Sequence, residues 1–500
     1  MLQSVDFTWI DTLWEYLVVL GPYILLAVDI SLRLTALVVV PRNRRPGSAM
    51  AWLMAIMSFP IIGFPLFLLL GRAKLPRKRH EKQRTVNQLA RSRAEKMPDA
   101  KIDRDQPSWL QSAVTLNRSL GAFPLTSGNR ADLEIDYQAS IEGIAADIDA
   151  AQDYAHILFY IMGLDEKTQP VFDAIARAVQ RGVTVRVLYD YWGTVTHGKT
   201  WLAMIRFFKQ HGVEHYSMMP IRPFRDGAFQ RPDLRNHRKL VIIDGVTGWM
   251  GSQNMIARHY NKRGNKRRGL MWQETMVRFE GPIVTEMNLL FATDWFYESN
   301  EMLSSDTLVR ETPELEDGYE CQIVPSGPGF VAQNNLLLFN QLFYSAREKI
   351  VAVSPYFVPD ESMLQALITA AYRGVQIELF VSEIGDQFLV YHAQRSYYSA
   401  LLEAGVTIWM YKPPYILHAK HISIDDSVAV IGSSNMDIRS FALQMEASVM
   451  VGDNGFMRKL RVVEEEYRAR SRQLTVEEWE SRSWGVKVVD NLCRLASGVV

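Results

Sequence analysis

The sequence predicts an α/β protein made of two related halves behind a membrane-embedded helical segment. Three observations carry that expectation. The pattern His-x-Lys followed by an Asp five residues on occurs at His237, Lys239 and Asp244, and recurs 181 residues later at His418, Lys420 and Asp425. A strand, helix, strand hydropathy pattern with an Arg-Gly-Val exit occurs once in each half. The first seventy residues hold two long apolar runs.

The first run, residues 13–32, is interrupted only by Glu15, Pro22 and Asp29 and is long enough for one bilayer span. Asp29 and Arg33 stand four apart, a spacing that lets them pair across one helical turn. A cleaved secretory signal is disfavoured, because Asp6 and Asp11 stand where such a signal carries basic residues and no small-residue cleavage site follows. The second run, residues 51–70, contains no charge. Arg42, Arg44 and Arg45 lie between the runs, and Arg72, Lys74, Arg77, Lys78 and Arg79 follow the second. The positive-inside rule puts both groups on the cytoplasmic face. Pro60, Gly63 and Pro65 can break the second run into a re-entrant hairpin that satisfies it; the alternative is two full spans with a basic outer loop. Either way the larger cluster leads into the rest of the chain, so the remainder is expected on the cytoplasmic side of the cell inner membrane.

A chain of 500 residues exceeds one small core and suggests several domains. The divisions read from the sequence are 1–75 for the membrane region, 76–108 for a basic juxtamembrane linker, 109–305 for the first half and 306–500 for the second. The linker lacks hydrophobic periodicity, and its basic residues would attract anionic lipid at about 1 kcal/mol each. Lys plus Arg and Asp plus Glu are equal at 55, so no global positive charge points to nucleic acid. Cys321 and Cys493 are the only cysteines and have no metal-like or disulfide-framework spacing.

The halves repeat loosely. Residues 156–162 read as a strand, followed by an amphipathic helix ending at Arg181-Gly182-Val183 and a second strand; residues 349–358 begin the same sequence, with the helix ending at Arg373-Gly374-Val375. Such βαβ units imply a mostly parallel sheet in each half.

One such motif, with its Asp included, is weak, since residue frequencies give it in roughly one chain in fifty of this length. Here both copies continue to a Gly-Ser-x-Asn turn, at Gly251, Ser252 and Asn254 and at Gly432, Ser433 and Asn435. On a strand, each His and Lys share a face, while the Asp has opposite parity and must act from the strand end, where it is expected to orient an imidazole. A neutral His can attack phosphorus and a protonated His can donate to a leaving alkoxide. The lysines supply charge for phosphate oxygens, and Ser252, Asn254, Ser434 and Asn435 supply further donors. No metal or cofactor is required. His421 lies on the other strand face and reads as structural. The basic run Arg258, Lys262, Arg263, Lys266, Arg267 and Arg268 is either a solvated face or a holder for an anionic headgroup. Residues 486–500 mix apolar and charged positions at helical spacing, for which core packing is favoured over membrane contact.

These motifs resemble the phospholipase D superfamily, and within it the bacterial cardiolipin synthase family. The likeness rests on Leu234-Arg235-Asn236-His237-Arg238-Lys239, on Pro355-Tyr356-Phe357-Val358-Pro359-Asp360, and on Asn435-Met436-Asp437-Ile438-Arg439-Ser440-Phe441 continuing to Glu446. Gly71-Arg72 and Ser127-Gly128-Asn129 add to it. The resemblance implies a bilobal phospholipase D-like fold and a phosphatidyl-histidine intermediate, with His237 as nucleophile, His418 as acid, and phosphatidylglycerol as the phospholipid substrate. Two departures stand out: Gly251-Ser252 replaces a Gly-Gly pair, and Trp272-Gln273-Glu274 replaces a Trp-Arg-Asp pattern, which removes any contact made by that Arg. The rival readings are a nuclease, which needs no lipid-facing segment, a phospholipase D hydrolase, a phosphatidylserine synthase-like transferase, and an inert membrane scaffold, against which two complete motifs argue. A CDP-alcohol type of synthase is disfavoured because its DGxxAR pattern is absent.

Overall fold

A computed structural model describes residues 8–42, 44, 46–71, 81, 99–102, 106–121, 123–220, 233–308, 310, 315–330 and 333–495. Most of the expected linker 76–108 and the basic cluster at 72–79 lie outside these residues. The chain forms two compact units, Met1–Lys74 and Leu75–Val500.

In the first unit, α1 (Thr8–Val39) runs beyond the expected end at residue 32, and its stretch Val18–Val39 is long and apolar enough to cross a bilayer. The extension is tolerated because Arg33 and Asp29 neutralise each other, Nε to Oδ2 at 2.6 Å. The second apolar run is not one helix. It breaks at Phe59 into α2 (Pro46–Ser58) and α3 (Pro60–Leu70), with Pro60 starting α3. The legs close tightly at Gly63, where a Cβ would stand 3.0 Å from the Ala55 carbonyl oxygen. Arg33 reaches across to donate to the Met57 carbonyl at the end of α2, satisfying one of the oxygens a helix terminus leaves orphaned. Ala36, Val40, Ala49, Ile56 and Phe67 form the small core of this unit.

The second unit carries both halves on a continuous 16-stranded sheet. In the first half, β1 (Thr126–Glu134), β2 (Tyr154–Phe159), β3 (Thr184–Asp190), β4 (Glu214–Met218), β5 (Leu240–Ile243), β6 (Thr247–Gly251) and β7 (Met276–Glu280) lie in the spatial order β4-β3-β2-β5-β6-β7-β1. The second half repeats the order with β8 (Tyr319–Ser326), β9 (Lys349–Val353), β10 (Gln376–Ser382), β11 (Thr407–Tyr411), β12 (His421–Ile424), β13 (Val428–Gly432) and β14 (Gln444–Gly452). The halves join where β1 pairs antiparallel with β8. An extra edge strand, Ser471–Leu474, lies beyond β11.

The sheets are mixed rather than mostly parallel. In the main ladders β2, β3 and β4, and likewise β9, β10 and β11, run parallel, because helical crossovers join them; the later strands pair antiparallel, β5 with β6 and β12 with β13 through tight turns. Gly182 and Gly374 take positive φ values of 89° and 88° at the two helix exits. The arginine before each has a matching task. Arg181 donates to the carbonyls of Ile148 and Ala151, and Arg373 to those of Phe343, Tyr344 and Ala346, satisfying the C-terminal turn of the preceding helix.

Candidate active site

Each histidine sits just ahead of a short strand buried on both faces. His237 precedes β5 and His418 precedes β12. The segment leading into each one is docked on the opposite half. Arg235–Asn236 pairs parallel with Gln444 and Met445 at the start of β14, and the His237 amide donates to the Met445 carbonyl. Tyr415–Leu417 pairs parallel with Met271–Gln273, and the His418 amide donates to the Gln273 carbonyl. This exchange places a carboxylate from one half against the imidazole of the other.

The His237 Nδ1 lies 3.1 Å from both carboxylate oxygens of Glu446. The His418 Nδ1 lies 2.9 and 2.8 Å from those of Glu274. With Nδ1 engaged, Nε2 is the nitrogen left to react. Both glutamates are buried and are held by hydroxyls: Ser252 donates to Glu274 at 2.7 Å, and Ser433 donates to Glu446 at 2.5 Å. The two motif lysines mirror each other, Lys239 Nζ donating to the His237 carbonyl at 2.6 Å and Lys420 Nζ to the His418 carbonyl at 2.5 Å.

Burial sets the protonation states. It pushes His237 and His418 down to about 4, with the neighbouring glutamates opposing and both lysines assisting. It also lowers Lys239 to about 8 and Lys420 to about 7, against the pull of Glu446 and Glu274. Burial alone would raise Glu274 and Glu446, but the facing histidine, the lysines and the serine hydroxyls hold both carboxyls below the ordinary range. At neutral pH the site therefore offers neutral imidazoles, anionic glutamates and lysines close to titration. A bound phosphate would complete the charge balance.

The expected role of the motif aspartates is corrected. Asp244 accepts hydrogen bonds from the amides of Gln152, Asp153 and Tyr154, and Asp425 from those of Arg347, Glu348 and Lys349. Both residues sit in the left-handed region at φ 51°, which Asp tolerates in tight turns. They fasten the far end of each motif strand to the start of β2 or β9 and touch no imidazole. Glu274 and Glu446 do the orienting. The repeat hides them because the spacing from the Gly-Ser turn differs: the first half inserts the basic loop before its glutamate.

The donors also divide unequally. Ser252 is committed to Glu274, while Ser434 donates only to the adjacent Asn435 carbonyl at 3.3 Å. Asn254 is bound on both sides, accepting from the Ile161 amide and donating to the Tyr260 hydroxyl. Asn435 Oδ1 is buried without a hydrogen-bond partner among the described residues, which leaves an acceptor for a donor on a ligand, such as a hydroxyl. Gly251 and Gly432 are required because a Cβ at either would collide with the backbone of β7 or β14 beside the glutamate. Tyr160 packs edge-on against His237 at 4.7 Å, and Tyr356 against His418 at 6.1 Å. At the departure noted in the sequence, Gln273 accepts from Arg258 Nη2 at 2.9 Å, so a guanidinium is brought there from the basic loop. The rest of that run forms the short helix Arg263–Arg268, with its basic side chains exposed. His421 faces Glu464 rather than the site, as its parity predicts.

Two histidines, two lysines and two crossed glutamates meet on a duplicated α/β fold of the phospholipase D kind. The family model described as "Cardiolipin synthase, PLD-like domain" matches residues 144–295 and 339–466, and that described as "Phospholipase_D-nuclease N-terminal" matches residues 23–72. Cardiolipin synthase A of Erwinia tasmaniensis is 32% identical over 96% of this chain and 97% of its own, and cardiolipin synthase of Geobacillus kaustophilus is 31% identical over 92% and 91%. The solved phosphatidylserine synthase of Haemophilus influenzae shares the fold, with a TM-score of 0.57 at 15% identity over 79% of this chain and all of its own. The chain belongs to the cardiolipin synthase family. It is membrane-associated through its N-terminal apolar segment.

Proposed function

We propose that this chain is a cardiolipin synthase, a phosphatidyltransferase that joins two phosphatidylglycerol molecules into cardiolipin and releases glycerol. The observation that carries the reading is the crossed His-Glu pairing, which gives two buried imidazoles with Nε2 free on each, beside two lysines. His237 Nε2 attacks the phosphorus of the first lipid, and a P–N bond forms as the bond to glycerol oxygen breaks. For this step His418 is the imidazolium: the anionic phosphate brings a proton onto Nε2, Glu274 on Nδ1 supports the added charge, and His418 gives that Nε2 proton to the leaving oxygen. The glycerol hydroxyl of the second lipid then returns a proton to His418 and attacks phosphorus, breaking the P–N bond. The closer carboxylate at His418 favours it as the proton carrier, since Glu274 stabilises the imidazolium. Lys239 and Lys420 hold the phosphoryl oxygens, and Asn435 offers its acceptor to a substrate hydroxyl. Burial of the centre keeps water from taking the acceptor's place.

The topology that supports this best is one span by α1 with a re-entrant α2–α3 hairpin. At 1.5 Å per residue, α2 is about 20 Å long, short of the roughly 30 Å hydrocarbon core. Both ends of the hairpin then lie with the basic residues on the cytoplasmic face, together with the catalytic unit. The exposed helix Arg263–Arg268 is suited to hold an anionic headgroup near the site.

The reading is tested by reconstituting the protein with phosphatidylglycerol alone and following products by mass spectrometry. Cardiolipin with an equal amount of glycerol is expected. Phosphatidic acid as the sole product makes the protein a hydrolase, and an absolute need for another lipid reassigns the donor or acceptor.

A further inference from the structure

We infer that the C-terminal helix and the helix it packs on form a membrane-docking surface that seats the mouth of the active site on anionic lipid; this rests on the proposed phospholipid chemistry. The C-terminal helix, Trp484–Arg494, packs on the helix Phe388–Arg395. Asp490 clamps the contact, accepting from His392, Arg395 and Arg482. Asp490 and Cys493 face inward. Trp484, Leu492 and Leu495 face outward at 79%, 61% and 83% exposure. At 100° per residue they fall, with half-buried Val488, inside a sector about 80° wide. A stripe so narrow and so exposed is unlike a core-facing helix, so the expectation of core packing holds only for the opposite face. Lys487 and Arg494 flank the stripe on one side, the arrangement of a helix lying in a bilayer interface with Trp at headgroup depth and cations beside it.

The helix on which the C-terminal helix packs begins beside the catalytic mouth. Phe388, 70% exposed, packs on His392, which Asp490 holds. It follows directly after Asp386 and Gln387. The Asp386 carboxylate accepts from the Tyr356 hydroxyl at 3.0 Å, and the Tyr356 ring meets His418. Lys262, which begins the exposed basic helix Arg263–Arg268, is close enough to draw down the otherwise burial-raised Asp386 carboxyl. Exposed Phe388 and the exposed cations of Arg263–Arg268 both lie near the mouth and complement the acyl and anionic layers of a lipid surface. A lipid leaving such a surface has a short path to His418.

The test uses the full chain in vesicles of phosphatidylglycerol and phosphatidylcholine, with an environment-sensitive fluorophore at Trp484→Cys. The control is Val462→Cys, next to Arg461, which binds the Asp425 carbonyl at the far end of β12. The label at 484 should be blue-shifted and quenched by doxyl-labelled lipid, and the label at 462 should stay aqueous. Water exposure at 484 overturns the inference. So does shielding without lipid quenching, which would put protein there instead. As a second arm, Leu492→Glu with Leu495→Glu should cut turnover of vesicle lipid roughly tenfold, with turnover of short-chain phosphatidylglycerol in micelles kept within about twofold. Equal turnover in both assays contradicts the docking role. The fluorophore arm reads even if the protein turns over no phosphatidylglycerol, so the two proposals fail separately.

Discussion

The His237 and His418 pockets share a skeleton and differ in what surrounds it. In both, a glutamate from the opposite half grips Nδ1, a serine hydroxyl grips the glutamate, and a lysine donates to the histidine carbonyl. Around His418 the carboxylate has a further donor, the Tyr260 hydroxyl at 3.2 Å, and Tyr260 in turn ties up Asn254. Around His237 the glutamate has no such tyrosine among the described residues, and the matching amide, Asn435, is unengaged on Oδ1 there. The orienting parts are under symmetric constraint because both imidazoles must present Nε2. The parts facing the substrate differ, since Asn254 is locked into the scaffold while Asn435 keeps an acceptor open for a ligand. The difference argues for divided labour between two histidines that the sequence repeat makes look equivalent.

The comparison breaks most visibly if either histidine is dispensable. His237→Asn and His418→Asn should each lower turnover of phosphatidylglycerol by about 10⁴-fold or more, measured as cardiolipin formed. Next come the crossed carboxylates. Glu446→Gln and Glu274→Gln leave the fold but remove the charge that supports an imidazolium, and each should cost about 10² to 10³ in kcat. A wild-type rate in either variant removes the orienting role.

The pH profile sharpens the same contrast. Burial draws Lys420 down to about 7 and Lys239 to about 8, so binding of the phosphate declines as pH rises through that range. The unfolded lysines hold their protons to about 10.4. Between the folded and unfolded values the unfolded chain therefore binds more protons, and stability rises with pH there. Glu274 raises Lys420, so Glu274→Gln should move the alkaline limb of kcat/KM to lower pH; a limb that stays in place means the lysine does not govern it.

Smaller effects separate the two amides. Asn435→Ala should lower kcat/KM about 10- to 100-fold with little change in stability. Asn254→Ala should cost about 1–3 kcal/mol in unfolding free energy, because it orphans the Ile161 amide. The least effect on chemistry is expected at Asp244→Asn, which should lower the melting temperature while the folded fraction keeps most of its kcat.

The fold was legible where local chemistry repeats. The Arg-Gly-Val exits, the Gly-Ser turns and the motif strands all recur with their neighbours intact, and the structure gives each pair one matching task. The antiparallel half of each sheet was not legible, because a buried strand of four residues looks the same in a parallel or an antiparallel ladder. Nor was the orienting pair. Glu274 and Glu446 each serve the histidine of the other half, and loops of unequal length erase their common spacing. The motif Asp drew attention because it repeats faithfully, yet its constancy reflects a turn at φ 51° and three amides rather than the reaction. The break at Phe59 was foreshadowed by Pro60 and Gly63, while the outward stripe of the C-terminal helix depends on which face Asp490 anchors, a tertiary fact.

The division of labour itself is tested most directly with a phosphatidyl ester whose leaving group, such as p-nitrophenolate, needs no proton. Under acid quench and peptide mass spectrometry, the His418→Asn variant should release p-nitrophenol in a burst and carry the phosphatidyl group on His237, whereas His237→Asn should show neither burst nor adduct. A phosphatidyl adduct on His418, or an equal burst from both variants, would contradict the account.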